Sequence, residues 1–149
     1  NEFGDSYIKE ELQGGYHYHF DQQFLEIFFN TGGKIELYNY SIKKNDLIIS
    51  GEMIPPKTIR LVHPHLDNVT SEGVIIHELG HYFDEKHQFS SSKQFTELYK
   101  KYRTLFNQKT KKEYFAECFK EYVGGHQEKV KPFHSYMKTI TQKIRQKNK

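Results

Sequence analysis

Two histidines and a glutamate near the middle of the chain have the residue types and the spacing of a metal site. His77, Glu78 and His81 form the pattern His-Glu-x-x-His within residues 73–85. On a helix, residues four apart share a face with Cβ atoms about 5–6 Å apart, so both imidazoles can bind one Zn²⁺ ion. A carboxylate directly after the first histidine can take a proton from a metal-activated water. The pattern predicts the zinc-binding helix and general base of a metalloprotease.

The same segment has the periodicity of an amphipathic helix. Its large apolar side chains recur on one side at helical spacing, which predicts a buried face: Ile75, Ile76, Leu79, Tyr82 and Phe83. The two histidines and Asp84 fall on the opposite side. Asp84 is predicted to accept the outer N–H of an imidazole and so to fix its tautomer.

A catalytic zinc site needs three protein ligands and one open position, so the histidine pair requires a further ligand. His87 follows His81 by six residues, as in the longer metzincin motif, but Asp84 occupies the glycine position of that motif. Glu113 is the better candidate, because Glu113 and Glu117 share one face of a predicted helix. One carboxylate would bind the metal and the other would orient an imidazole. The alternative is an ordinary solvated helix face.

The composition limits other functional classes. The net charge is +3, and much of the excess lies in residues 138–149 without interleaved aromatic side chains, so nucleic-acid binding is not expected. Cys118 is the only cysteine, which excludes an intrachain disulfide and a tetrathiolate zinc site and predicts a buried thiol. No apolar run approaches 18 residues, so no membrane span is expected. The chain begins at Asn1 without a signal peptide, which indicates a processed form or an excised domain.

The length of 149 residues predicts a single α+β domain over residues 1–149, with an aromatic-rich core. Residues 1–15 are predicted as an arm or short strand. A helix containing Phe24 and Phe28 should end at Gly32-Gly33. Three runs are predicted as strands of a small mixed sheet: Lys34–Tyr40, Asp46–Ser50 and Thr58–Val62. Residues 71–149 should be helical, with the zinc site where the two parts meet.

Three helices are predicted after the motif. The first carries a stripe from Phe95 to Phe106, and the second carries Phe115, Cys118, Phe119 and Tyr122 and ends at Gly124-Gly125. The last should begin at Pro132, which suits a first helical turn. Its predicted buried residues are Phe133, Tyr136, Met137, Ile140 and Ile144.

Two motifs resemble those of the catalytic domain of anthrax lethal factor and the related secreted Pro-Pro endopeptidases: His77-Glu78-Leu79-Gly80-His81 and, after Asp84, Glu113-Tyr114-Phe115-Ala116-Glu117. The resemblance covers roughly residues 73–123 well and the first seventy residues loosely. It implies a zincin-like fold of the gluzincin class and a secreted protein. It also implies one zinc ion per chain bound by His77, His81 and Glu113, with Glu78 as general base. Glu117 would support a ligand without binding the metal itself.

The chain departs from this family at two points. The family has a tyrosine that stabilises the oxyanion seven residues before the glutamate ligand, and here that position is Phe106. Tyr102, one predicted helical turn earlier, is the candidate catalytic donor, and His126 is another. The alternative is that the rings of Tyr102 and Phe106 both belong to the core. The proline-specific enzymes also use a tryptophan, and the chain has none, so Pro-Pro specificity is not expected.

Together the residues and the resemblance predict a zinc-dependent endopeptidase, either a secreted protease or the catalytic domain of a toxin. Its partner would be a peptide or protein substrate in extended form, paired with the strand Thr58–Val62. We expect a monomer. The alternative is a zinc-containing protein-binding module of the same fold with little or no turnover. Phe106 favours the module, whereas the intact Glu78 favours the enzyme.

Overall fold

The computed structural model describes Tyr18 and residues 21–38, 43–44, 47–48, 51–62, 71–108 and 110–147. Its helices are α1 (Gln22–Asn30), α2 (Ser71–His87), α3 (Lys93–Lys101), α4 (Lys111–Val123) and α5 (His134–Lys147). Its strands are β1 (Lys34–Tyr38), β2 (Lys43–Lys44), β3 (Leu47–Ile48), β4 (Gly51–Ile54) and β5 (Thr58–Val62). The predicted α+β class is confirmed. The arm predicted over residues 1–15 lies outside the described residues.

The main sheet has three strands in the order β1-β5-β4. β1 runs parallel to β5 and β4 runs antiparallel to it, so the sheet is mixed as predicted. β2 and β3 pair separately as a short antiparallel ladder. The expectation that a substrate pairs with Thr58–Val62 is therefore wrong, because β5 already has a neighbour on both sides. Its side chains Ile59, Leu61 and Val62 are fully buried.

The strand β4 corrects a second expectation. The sequence predicts a strand over Asp46–Ser50 that ends at Gly51; the structure describes a strand at Leu47–Ile48, and Gly51 begins β4. A Cβ atom added at Gly51 would lie 2.7 Å from Cγ1 of Val74 on α2. This glycine therefore allows a strand to approach a helix closely, rather than ending a strand.

The helix α2 contacts β4 and β5 as well as α4, so it links the sheet to the helical part. The predicted apolar face is confirmed, since Ile76, Leu79 and Phe83 are fully buried. Aromatic rings dominate the core between α1, α2 and α4: Phe24, Phe83, Phe115 and Phe119. None of the helices in the described part of the chain has both the length and the apolar character needed to cross a bilayer.

The helical part follows the prediction in α4, while α5 has the predicted buried face but a different start, and α3 has a different end. Cys118 is buried as expected, and α4 ends at Gly124. The last helix begins at His134 rather than at the predicted Pro132, which lies in the preceding 3-10 segment, Gln127–Phe133. The predicted helix through Phe106 is wrong, because α3 ends at Lys101.

The end of α3 has a local physical cause. The carbonyl of Tyr102 accepts hydrogen bonds from the hydroxyl of Tyr114 and from the backbone N–H of Leu105. The second bond closes a tight turn instead of continuing the helix. Tyr102 and Phe106 therefore do not share a helical face.

Candidate metal centre

The two motif histidines lie side by side on α2. Their ring centroids are 5.0 Å apart, as expected for positions four apart on a helix. Their side chains are mostly buried, with 14% of His77 and 17% of His81 exposed. Burial of Leu79 and Phe83 on the other side of α2 fixes the rotation of the helix, so both imidazoles face α4.

The carboxylate of Glu113, in the first turn of α4, contacts both imidazoles. Its Oε1 lies 3.2 Å from Nε2 of His77, and its Oε2 lies 2.5 Å from Nε2 of His81. Ligand atoms of these three residues all lie within 4.8 Å of one another. The Thr110 hydroxyl accepts a hydrogen bond from the Glu113 backbone N–H, which fixes the start of α4. The structure thus brings together the three residues that the sequence predicts as ligands.

His87 is separate from this cluster. Its ring stacks on Phe89, with 5.0 Å between centroids and 23° between planes. Burial lowers the pKa of His87. The alternative third ligand from the longer motif is therefore not supported by the geometry.

Glu117 contacts the outer side of the His77 ring. Its Oε1 lies 2.9 Å from Nδ1 of His77, and its Oε2 lies 2.9 Å from Nζ of Lys120. This carboxylate can hold Nδ1 protonated and leave Nε2 directed at the cluster, which is the role of an outer partner in a zinc site.

Asp84 has a different partner from the one that the sequence predicts. It is 4% exposed, and its Oδ1 accepts a hydrogen bond of 2.6 Å from the backbone N–H of Ser90. Asp84 therefore joins the end of α2 to the 3-10 segment Phe89–Ser91, and the carboxylate that contacts the outer side of an imidazole is that of Glu117. Periodicity placed Asp84 on the histidine side, but it could not show how the chain turns after α2.

The electrostatics of the cluster follow from these contacts. Burial favours neutral His77, but hydrogen bonds to Glu113 and Glu117 outweigh it and raise the pKa of His77 to about 10. Hydrogen bonds from both imidazoles lower the pKa of Glu113. Burial opposes ionisation of Glu117, yet its contacts with His77 and Lys120 together outweigh burial and lower its pKa. Without a metal, the cluster is an ion-paired group with a proton on His77.

Glu78 lies at a pocket of about 280 Å³ next to the cluster and is 7% exposed. Burial raises its pKa, although the neighbouring histidines oppose that effect. A carboxyl group with a raised pKa is a better proton acceptor and can still return the proton. The other pocket residues come from β4 and the turn after it, from α2 and from α4: Gly51, Glu52, Met53, Pro55, His81, Asp84, Glu85, Lys112 and Glu113.

The candidate oxyanion donor Tyr102 does not line this pocket. Its ring packs edge-on against Phe133, with centroids 6.0 Å apart, and Phe106 packs in the same way against Tyr114 at 5.4 Å. Both rings pack against the core, which matches the alternative that neither ring is catalytic. The sequence misplaced them because it predicted one continuous helix.

His126 lies beyond the far end of α4. Glu113 is in the first turn of that helix and Val123 is its last residue, so a rise of 1.5 Å per residue puts roughly 15 Å between them. The ring of His126 contacts that of Tyr18, with centroids 4.6 Å apart. This donor is therefore remote from the cluster.

Lys112 and Glu52 are among the pocket residues that sequence reasoning missed. Lys112 lines the pocket directly before Glu113, and its position next to a predicted ligand could have drawn attention to it. Glu52 accepts a hydrogen bond of 2.9 Å from the Arg60 guanidinium across β4 and β5. Glu52 could not have been found, because β4 itself was not predicted.

Comparison with known proteins gives this chain no family. No protein-family model matches it, and no curated protein matches it either.

Proposed function

We propose that this protein is a zinc-dependent endopeptidase with a site like that of the anthrax lethal factor and Pro-Pro endopeptidase group. The observation that carries the proposal is the meeting of His77, His81 and Glu113 within 4.8 Å beside the buried Glu78. Two imidazoles and one carboxylate are the ligand set of many zinc peptidases. The donor set therefore fits one zinc ion per chain, and the adjoining pocket leaves room for water and substrate.

Each residue has a defined role in peptide hydrolysis. A bound zinc ion would supply Lewis acidity towards the scissile carbonyl and would lower the pKa of water. Glu78 accepts the proton of the attacking water and returns it to the leaving amine. Because Glu78 is 7% exposed, its proton exchanges with the reactants rather than with bulk water. Glu117 keeps Nε2 of His77 directed at the ligand cluster.

The substrate we propose is a peptide in extended form, bound along β4. Within the described residues β4 pairs with β5 alone, and Gly51, Glu52 and Met53 of β4 line the pocket. A peptide added to the other edge would gain main-chain hydrogen bonds and pass close to Glu78. We also propose that the protein acts as a monomer and is secreted, as the family resemblance implies.

A zinc-containing binding module is the second candidate. It is favoured by one observation, the lack of a tyrosine among the described residues that line the pocket. Without a donor of this kind the transition state loses an interaction worth about 2.7–4 kcal/mol. The buried Glu78 argues for the enzyme, because burying a carboxyl group costs stability and a module that only binds zinc has no need of a general base.

The test combines metal analysis with a digest of a peptide library, with and without a chelator. We expect close to one zinc per chain and cleavage that the chelator stops. Glu78→Gln should retain zinc and fold but lose activity by several orders of magnitude, because it removes proton transfer without removing a ligand. Glu97→Gln is the matched control, since Glu97 is exposed on α3. Zinc binding without cleavage would favour the module, and lack of zinc binding would refute both candidates.

A further inference from the structure

Gly80 lies in the interior of α2, between the two histidines, where it contacts α4. A Cβ atom added at Gly80 would lie 3.1 Å from Cα of Ala116 and 3.2 Å from Cβ of Phe119. Optimal carbon–carbon separations are about 3.5–4.0 Å, so this crossing has no room for a methyl group. Glycine within a helix costs about 0.5–1 kcal/mol relative to alanine, and this close approach explains its presence.

The neighbours of Gly80 can give way only if a helix shifts or the core repacks. The Ala116 atom belongs to the backbone of α4, so it moves only with the helix. Phe119 is fully buried, with its ring centroid 5.7 Å from that of Phe24 and 5.9 Å from that of Phe83. A side chain at position 80 would therefore push α2 and α4 apart by a few tenths of an ångström.

The candidate metal ligands come from both sides of this crossing. His77 and His81 are on α2, while Glu113 is on α4, three residues before Ala116. Zinc–ligand distances are about 2.0–2.2 Å and tolerate deviations of about 0.2 Å. A separation of a few tenths of an ångström is therefore enough to weaken coordination by Glu113.

We propose that Gly80 is a positioning residue of the metal site: it sets the separation of α2 and α4 at which Glu113 and the two histidines bind one ion. This inference rests on the proposed zinc function. It assigns to Gly80 a role that is separate from helix formation, because alanine at this position would favour the helix and still disturb the site.

The experiment compares Gly80→Ala with Gly33→Ala, a crowding control in the turn before β1. A Cβ atom at Gly33 would lie 2.4 Å from the ring of Phe28, so this variant should also lose stability, but at a place without metal ligands. Zinc affinity is measured by competition with a chromogenic chelator. Gly80→Ala should bind zinc about tenfold or more weakly, whereas Gly33→Ala should keep the wild-type affinity.

A second measurement separates positioning from stability. Cobalt reports ligand geometry through its visible absorption, and the tetrahedral signal should weaken in Gly80→Ala and persist in Gly33→Ala. If the metal-free variant does not fold, zinc titration followed by circular dichroism gives its affinity. Equal zinc affinity and an unchanged cobalt spectrum would overturn the inference, as would a variant that stays unfolded at saturating zinc. Failure of the wild-type protein to bind zinc would instead refute the proposed function.

Discussion

Replacing Glu117 with glutamine should weaken zinc binding by about five- to tenfold without removing a metal ligand. In the structure Glu117 Oε1 lies 2.9 Å from Nδ1 of His77, and glutamine can still accept that hydrogen bond as a neutral group. Hydrogen bonds to charged groups contribute about 1.5–3 kcal/mol and neutral ones about 0.5–1.5 kcal/mol. The difference of about 1–1.5 kcal/mol corresponds to the predicted change in affinity before the weaker proton competition at His77 in the variant is counted.

Glu117→Ala should have a larger effect, because it removes the acceptor altogether. Only 14% of the His77 side chain is exposed, so water would replace the lost acceptor poorly. An unsatisfied buried donor costs about 1–3 kcal/mol, and loss of an outer partner typically lowers metal affinity by about 10–100-fold. We therefore expect the order wild type, Glu117→Gln, Glu117→Ala for decreasing zinc affinity.

The assay is competition with a chromogenic chelator at fixed pH, with circular dichroism to show that each variant is folded. Glu97→Gln, on the exposed side of α3, should bind zinc like the wild type and controls for loss of one negative charge. Glu113→Gln should bind far more weakly than Glu117→Gln, because it changes a ligand. A folded Glu117→Ala variant with wild-type zinc affinity would refute the role of Glu117 as the outer partner of His77. If Glu113→Gln kept zinc and Glu117→Gln lost it, Glu117 would be the ligand and Glu113 the outer partner.

Three further predictions concern pH, packing and the missing tyrosine. Because the pKa of His77 is raised to about 10 in the metal-free protein, zinc must displace its proton, and zinc affinity should rise about tenfold per pH unit between about pH 7 and 9, measured with a pH-corrected chelator. Protonated His77 also stabilises the metal-free folded protein. This contribution to the free energy of unfolding is complete below the unfolded pKa of His77, about 6.5, and should disappear as the pH rises through about 10. Urea unfolding without metal measures it. Gly124→Ala should lower the free energy of unfolding by about 1–3 kcal/mol, because its Cβ would lie 2.4 Å from the ring of Tyr18; an unchanged urea midpoint would show that the ring moves aside. Phe106→Tyr should change kcat for a peptide substrate by less than about twofold, since this ring packs on the core; an increase near 10²-fold would show that position 106 reaches the substrate.

The sequence was most informative where the chemistry lies on one helix. His77, Glu78 and His81 have fixed relations on any helix, and the apolar face of α2 determines which side is buried. Glu113 and Glu117 were predicted as a pair on a second helix, and their distinct roles emerge only when α4 packs against α2. The contact at Gly80 that brings these helices together has no signal in the hydrophobic pattern, because it depends on the absence of a side chain.

The errors have a common physical origin in contacts between distant segments. The large side chains up to Tyr102 and Phe106 recur at helical spacing, which predicted one helix. In the structure the hydroxyl of Tyr114 donates a hydrogen bond to the Tyr102 carbonyl, and α3 ends at Lys101. Gly51 was interpreted as a strand break, yet it begins β4. Glycine is needed there because Val74 leaves no room for a larger residue. Local pattern cannot distinguish a glycine that breaks a strand from one that allows close packing.

The ion pairs among the proposed ligands explain how the cluster can form without metal and what zinc would have to overcome to bind. In the metal-free protein Glu113 joins both imidazoles and Glu117 holds the outer side of His77, so buried polar groups are satisfied. These contacts keep the ligand atoms close together, which reduces the ordering that metal binding requires. They also keep a proton on His77, which must leave before Nε2 can bind zinc. The same carboxylates that arrange the site therefore make its zinc affinity depend on pH, and Glu117→Gln should reduce that dependence by lowering the pKa of metal-free His77.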